Sequence, residues 1–321
     1  MRHIAILKSC TPQEQAFLRS AADPTDTVSF FESEEALLES GISDRVHILL
    51  GEPSMETVFS LPSLRWIQMT WAGANKYTSC ESFPPHITLT SASGAFGCVI
   101  SEHVLAGILA LYKNLSAYRV QLQRGQWHLL SGDASLEGKR ALILGTGNIG
   151  SETAKKLHVF GAHTAGLNRT AHQCSTFFDE SYTIDALDSQ LPLADLVIIA
   201  LPGTKETARL LNRTRIGMMK QDAVLVNVGR GFVVDTQALT EALTQRKIRG
   251  AVLDVTDPEP LPADHPLRFL DNVILTPHVS GISWGENQYT RRRILEIFRE
   301  NLRRDSQSVP LKNVIDFQLG Y

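Results

Sequence analysis

The chain has 321 residues, room for two domains at roughly 150 residues each, and its 43% hydrophobic content against 20% charged excludes extended disorder. With 31 Lys and Arg against 34 Asp and Glu, the formal charge of −3 lacks the basic excess of a general nucleic-acid or membrane-surface binder. Cys10, Cys80, Cys98 and Cys174 are far apart and form no CxxC pair, so no structural metal and no disulfide scaffold is expected, and a reducing cytoplasm is the expected location.

The apolar start Ile4-Ala5-Ile6-Leu7 is too short for a signal peptide and reads with His3 as a strand. A helix is predicted over Pro12 to Ser20 with Thr11 as its N-cap. Further strands are predicted at Val28 to Phe31, His47 to Leu50, Trp66 to Met69 and Ile87 to Thr90, with helices at Glu34 to Ser40 and Ser54 to Ser60 between them. Such alternation implies a parallel sheet covered on both faces. One long helix is predicted from Val99 to Arg124, with Gly125 as its stop. Its most membrane-like stretch, Val104 to Tyr112, falls short of the roughly 20 residues that span a bilayer.

After a polar loop at Ser131 to Ala134, a clearer series begins at the strand Arg140 to Leu144. Five more strands follow: His163 to Leu167, Leu196 to Leu201, Ala223 to Val228, Gly250 to Val255 and Asn272 to Thr276. Helices at Asn148 to Phe160, Asn212 to Met219 and Thr236 to Gln245 separate several of them, so a doubly wound sheet is expected. Trp284 to Arg304 reads as a basic amphipathic helix whose Arg291-Arg292-Arg293 run is a solvated face.

Gly145-Thr146-Gly147-Asn148-Ile149-Gly150 directly follows a strand and opens a helix. In that context the spacing predicts a dinucleotide site. Gly145 permits the sharp turn, Gly147 lets a pyrophosphate reach the backbone, and Gly150 lets helix and strand pack closely. The free N–H groups at the helix start attract the anion. About 20 residues on, where NAD enzymes usually carry an acid for the ribose, stands Asn168, followed by Arg169 and Thr170. Asn168 removes the charge that repels a 2′-phosphate, and Arg169 and Thr170 can bind one, so NADP is expected over NAD. The other reading leaves Arg169 on the surface and Asn168 bonded to a 2′-hydroxyl.

Three reactive side chains follow three strand ends: Arg230 in Gly229-Arg230-Gly231, Glu259 in Asp257-Pro258-Glu259-Pro260, and His278 in Thr276-Pro277-His278. In an open parallel sheet that is where ligands bind. Together with Val226 to Asp235, Asp254-Val255 and the glycines, these motifs resemble the D-isomer-specific 2-hydroxyacid dehydrogenases over nearly the whole chain. Trp71-Ala72-Gly73-Ala74-Asn75 is similar to the family's substrate loop, with Ala74-Asn75 in place of Val-Asp, and Ser101-Glu102-His103 is similar to its Ala-Glu-His.

The resemblance implies a Rossmann domain over 100–283, inserted into a flavodoxin-like α/β substrate domain made of 1–99 and 284–321. It also implies a homodimer. It makes Arg230, Glu259 and His278 the catalytic set, with Arg230 on the substrate carboxylate beside the amides of Ala72, Gly73 and Ala74. Asp254 matches the acceptor of the nicotinamide carboxamide, and Leu201-Pro202 and Val228-Gly229 line the nucleotide cleft. Glu259 stands where the superfamily's formate dehydrogenases carry Gln, so formate oxidation is not expected, and the chain's end at Tyr321 leaves no regulatory domain of the long phosphoglycerate dehydrogenase type.

The chemistry of those residues suits hydride transfer to a 2-keto acid. Charge develops on the carbonyl oxygen, and an imidazole that titrates near neutrality can supply the proton. The expected substrate is small, of the glyoxylate or hydroxypyruvate type. Bulkier branched 2-keto acids are the alternative, and a nucleotide-sensing corepressor of the same fold is the non-enzyme reading.

Overall fold

The computed structural model describes residues 2–169, 175–282, 284 and 287–320. They divide into two compact units, one formed by 1–95 with 282–321 and the other by 96–281.

The first unit is built on five parallel strands, β1 (His3–Leu7), β2 (Thr27–Phe31), β3 (Ile48–Leu50), β4 (Trp66–Gln68) and β5 (Thr88–Thr90), in the order β2-β1-β3-β4-β5. This is the flavodoxin-like order. The near-continuous apolar runs are needed because both faces are covered. Ala5, Leu49 and Ile67 pack on one side with Leu37, Val58 and Tyr77. Ile4, Ile6 and Leu50 pack on the other with Leu18, Leu295 and Phe298. Thr11 caps the helix Pro12–Ala21 in a reciprocal capping box with Glu14.

An ion-pair network ties the chain's first strand to its last helix, Gln288–Ser306. Arg2 bonds Asp26 through Nε, at 2.9 Å to Oδ2, and bonds Asp305 through Nη1 at 2.7 Å. Arg65 grips Asp305 with two bonds of 2.7 and 2.6 Å. Arg291 is held by Glu14 rather than simply solvated, whereas Arg292 and Arg293 lie exposed beside Glu296.

The second unit carries seven parallel strands: β6 (Arg140–Leu144), β7 (His163–Asn168), β8 (Glu180–Thr183), β9 (Leu196–Ile199), β10 (Val224–Asn227), β11 (Gly250–Leu253) and β12 (Val273–Leu275). Their order, β12-β11-β10-β9-β6-β7-β8, reverses direction between β6 and β9, as in a Rossmann sheet. The sequence predicts six strands, and β8 is the seventh. Its Glu-Ser-Tyr-Thr run has no buried residue and is held at the sheet edge, with Arg140 bonding Glu180 at 3.0 and 2.6 Å.

The single helix predicted over Val99 to Arg124 is two helices, Gly97–Tyr112 and Leu115–Gln123, bent by 60°. Asn114 between them has φ +53°, a left-handed conformation that asparagine tolerates and that no helix can continue through. Among the described residues no single helix is long and apolar enough to cross a membrane.

Burial pushes the carboxyls of Asp26 and Asp305 up, but their arginine hydrogen bonds outweigh it and hold both below the ordinary aspartate range. Groups lowered on folding stabilise the fold above their unfolded value near pH 4, and that contribution is lost as pH falls through the folded value. Asp305→Asn is therefore expected to cost about 2–4 kcal/mol near neutrality and to flatten the acid limb of the stability–pH curve, read by urea unfolding from pH 7 to pH 3.

Candidate active site

At the end of β6 the glycine loop turns into the helix Asn148–Val159. Gly145 has φ +98°, and a Cβ there would lie 2.6 Å from the Ala200 carbonyl oxygen. A Cβ on Gly150 would lie 1.9 Å from the carbonyl oxygen of Gly145. Both positions are thus demanded by the protein's own packing. Gly147 differs: its φ of −71° suits any residue, and a Cβ would meet nothing within 4 Å. It caps the helix without a side chain and leaves the backbone of Asn148 and Ile149 approachable, which fits a dinucleotide pyrophosphate. The Asn148 side chain is turned elsewhere, accepting from the Gly97 N–H at 2.9 Å.

Asn168 ends β7. Its Nδ2 donates to Thr146 Oγ1 at 2.9 Å, and its Oδ1 accepts from the Arg169 N–H at 2.9 Å, so the strand end is bonded to the glycine loop. The Arg169 residue is exposed, and Thr170 lies outside the described residues. Across the sheet, Gly229 follows Val228 and sits against Leu201, whose carbonyl oxygen would be 2.7 Å from a Cβ there. Pro202 accepts from the Thr207 hydroxyl at 2.9 Å, which holds the loop after β9.

Past β10, Asn227 clamps the next turn, donating to the Arg230 carbonyl at 2.9 Å and accepting from the Gly229 N–H at 3.1 Å. Burial pushes the Arg230 guanidinium below the ordinary arginine value, and the charge of Glu259 works in the opposite direction. Gly231 lets this turn lie on the next loop, since a Cβ there would be 1.9 Å from the Thr256 carbonyl oxygen. That next loop carries Glu259, whose Oε1 is 2.6 Å from His278 Nδ1. The two side chains remain about half exposed, at 42% and 49%.

His278 has φ +55°, and its N–H donates to the Asp254 carbonyl at 2.8 Å and the Thr276 carbonyl at 3.1 Å. Asp254, 1% exposed, closes the segment from below. Its Oδ1 accepts from the Thr276 hydroxyl at 2.6 Å and the Val279 N–H at 2.9 Å, and its Oδ2 accepts from the Ser280 N–H at 3.0 Å. Burial pushes this carboxyl up, and the bonds from Ser280, Thr276 and Val279 outweigh it, holding it below the usual range.

Arg230, Glu259, His278, Asp254 and the glycine loop therefore all stand beyond strand ends of one sheet. Ala72, Gly73 and Ala74 lie in the first unit, in the turn after β4, where Ala74 is buried and opens the short helix Asn75–Thr78. Sequence reasoning missed Thr146, Asn227 and the Thr276 hydroxyl. All three flank residues it did select, and Thr276 stands two positions before His278.

Comparison with known proteins identifies the family. Residues 105–280 match the family model described as the D-isomer specific 2-hydroxyacid dehydrogenase, NAD binding domain. The chain belongs to that family. It is an NAD(P)-dependent D-2-hydroxyacid dehydrogenase. It is 32% identical over 261 residues to a glyoxylate reductase of Thermofilum pendens, covering 79% of this chain and 76% of that one. A D-isomer specific 2-hydroxyacid dehydrogenase family protein from Aeromonas salmonicida is similar in structure, with a TM-score of 0.87 at 32% identity over 98% of this chain and 99% of that one. A second dehydrogenase, from Xanthobacter autotrophicus, was solved with NADPH and MES; its TM-score is 0.82 at 26% identity, over 100% of this chain and 99% of that one.

Because Gly147 is required by neither packing nor φ, Gly147→Ala separates ligand approach from folding in this dehydrogenase. The variant should lose at most about 1 kcal/mol of stability, the cost of a poorer helix cap. Its nicotinamide dinucleotide affinity should fall by about tenfold or more, measured by calorimetric titration.

Proposed function

We propose that the chain reduces a small 2-keto acid, of the glyoxylate or hydroxypyruvate class, to its D-2-hydroxy acid with NADPH in preference to NADH. The observation that carries this is the 2.6 Å Glu259–His278 pair beside the loop of Arg230. The bound nicotinamide supplies the hydride. Arg230, a desolvated cation, binds the substrate carboxylate and polarises the ketone. Glu259 accepts the Nδ1 proton and fixes the ring, so that Nε2 presents its proton to the carbonyl oxygen as charge develops. Asp254 would be the acceptor for the carboxamide of a bound nicotinamide, as the resemblance implies. Ala72, Gly73 and Ala74 are proposed substrate contacts on the resemblance alone.

The cofactor preference rests on Asn168 and Arg169. Asn168 brings no charge to the end of β7, and its amide is already bonded to Thr146 and to the Arg169 N–H. The exposed Arg169 then supplies the charge for a 2′-phosphate. A reducing compartment is proposed from the wide sequence spacing of Cys10, Cys80, Cys98 and Cys174. A homodimer is proposed through the apolar surface that includes Leu122, Trp127 and Leu129, the last two 89% and 90% exposed.

His278→Gln should lower the reduction kcat by about 100- to 10,000-fold with cofactor binding near normal, and parental turnover would reject the proton-donor role. Glu259→Gln weakens the charge-assisted hydrogen bond that fixes the ring and should lower the reduction kcat by about tenfold or more with NADPH binding near normal, read by steady-state kinetics. Arg169→Ala should weaken NADPH binding by about 1–3 kcal/mol and leave NADH nearly unchanged, whereas a parental preference for NADH would overturn the assignment. Light scattering should find a dimer that Trp127→Ser with Leu129→Ser converts to monomer.

A further inference from the structure

We infer that His103 and Thr276 are positioning residues that hold the His278 segment in its working conformation through Asp254. This inference rests on the proposed role of His278. Its evidence is a chain of hydrogen bonds of fixed polarity. Thr276 Oγ1 lies 2.6 Å from Asp254 Oδ1 and 3.2 Å from His103 Nε2. A hydroxyl has one proton, and here it must go to the carboxylate, which only accepts. Toward His103 the hydroxyl is therefore the acceptor, and His103 Nε2 carries a proton. The order is His103 to Thr276 to Asp254, every donor pointing toward the buried charge. Protonation of His103 leaves that order intact, because Nε2 is a donor in both forms.

Both ends of the chain are anchored. His103 stands on the helix Gly97–Tyr112, which is fitted so closely to β11 that a Cβ on Gly107 would be 2.5 Å from Val252 Cγ1. Asp254 directly follows β11, and Thr276 directly follows β12, its N–H bonded to the Leu253 carbonyl at 2.9 Å. What the anchors hold is unfavourable by itself. His278 has a φ of +55°, which L side chains rarely adopt, and its N–H is shared by the carbonyls of Asp254 and Thr276. Thr276 thus serves the segment twice, by its carbonyl to His278 and by its hydroxyl to Asp254. The Asp254 carboxylate in turn fixes Val279 and Ser280 on the far side of His278. Loosening Thr276 frees the ring from the geometry in which Nδ1 meets Glu259 and Nε2 faces the substrate.

The test uses the full chain with NADPH and glyoxylate, and reads turnover beside the NMR signal of the His278 Nδ1 proton bonded to Glu259, assigned by its loss in His278→Gln. Thr276→Val and His103→Leu should each lower kcat by about tenfold or more, the scale of a displaced catalytic group, with KM for NADPH changed less than about twofold. Both should shift or broaden the Nδ1 proton signal. Thr276→Ser, which restores the hydroxyl, and His103→Gln, which restores an N–H donor, should recover most of the turnover and the parental signal. The inference is overturned if Thr276→Val and His103→Leu keep the parental signal. It is equally overturned if the conservative variants lose as much turnover as the disruptive ones, alongside an equal fall in thermal midpoint. The two readings separate cleanly: parental turnover in His278→Gln defeats the proton-donor role, while the signal in Thr276→Val still reports whether the segment is positioned from below.

Discussion

Three hydrogen bonds converge on the Asp254 carboxylate, and the segment that carries His278 is organised around them. A carboxylate out of contact with water is tolerable only when donors replace the water, and here two are backbone N–H groups of the segment itself. The charge and the loop therefore stabilise each other. Without the loop the carboxylate is buried unsatisfied, and without the carboxylate His278 has little reason to keep a left-handed backbone. The same logic recurs at Asn227, which clamps the Arg230 turn from both sides. It recurs again at Asn168, which joins the second strand to the glycine loop. In each case a polar residue at or just past a strand end holds a loop at that end of the sheet, so the sheet determines where the reactive groups stand.

Much of the fold was legible because parallel strands buried on both faces must be apolar almost throughout. Runs such as Arg140 to Leu144 and Leu196 to Ile199 announce themselves, with differences of one or two residues where the ladder stops. β8 was invisible for the converse reason. An edge strand with one neighbour and no buried residue needs no apolar run, and its Glu180 is chosen to bond Arg140. The bend at Asn114 was hidden because the apolar periodicity resumes after it. A single left-handed residue interrupts the backbone without marking the composition.

The candidate site was legible in its charged members and not in its supports. Arg230, Glu259 and His278 sit in short motifs with glycines and prolines, which reveal themselves by spacing. The contact of His103 with Thr276 joins residues 173 positions apart, and no local pattern encodes it. The three fingerprint glycines show a finer distinction that spacing conceals. Gly145 and Gly150 answer to the protein's own packing, whereas at Gly147 a side chain would meet only open space.

The first unit's make-up also bears on how the molecule is assembled. Arg2 meets Asp305 across 303 positions, and the face of the first sheet that covers Ile4 and Ile6 is completed by Leu295 and Phe298. That sheet cannot finish its core until the last helix has been synthesised. The second unit's contacts close within 96–281, so it can fold earlier on the ribosome, and once folded it shortens the flexible span that must close. Until then one face of the first sheet is covered only in part, by the helix Pro12–Ala21, and the nascent chain is most exposed to aggregation late in its synthesis.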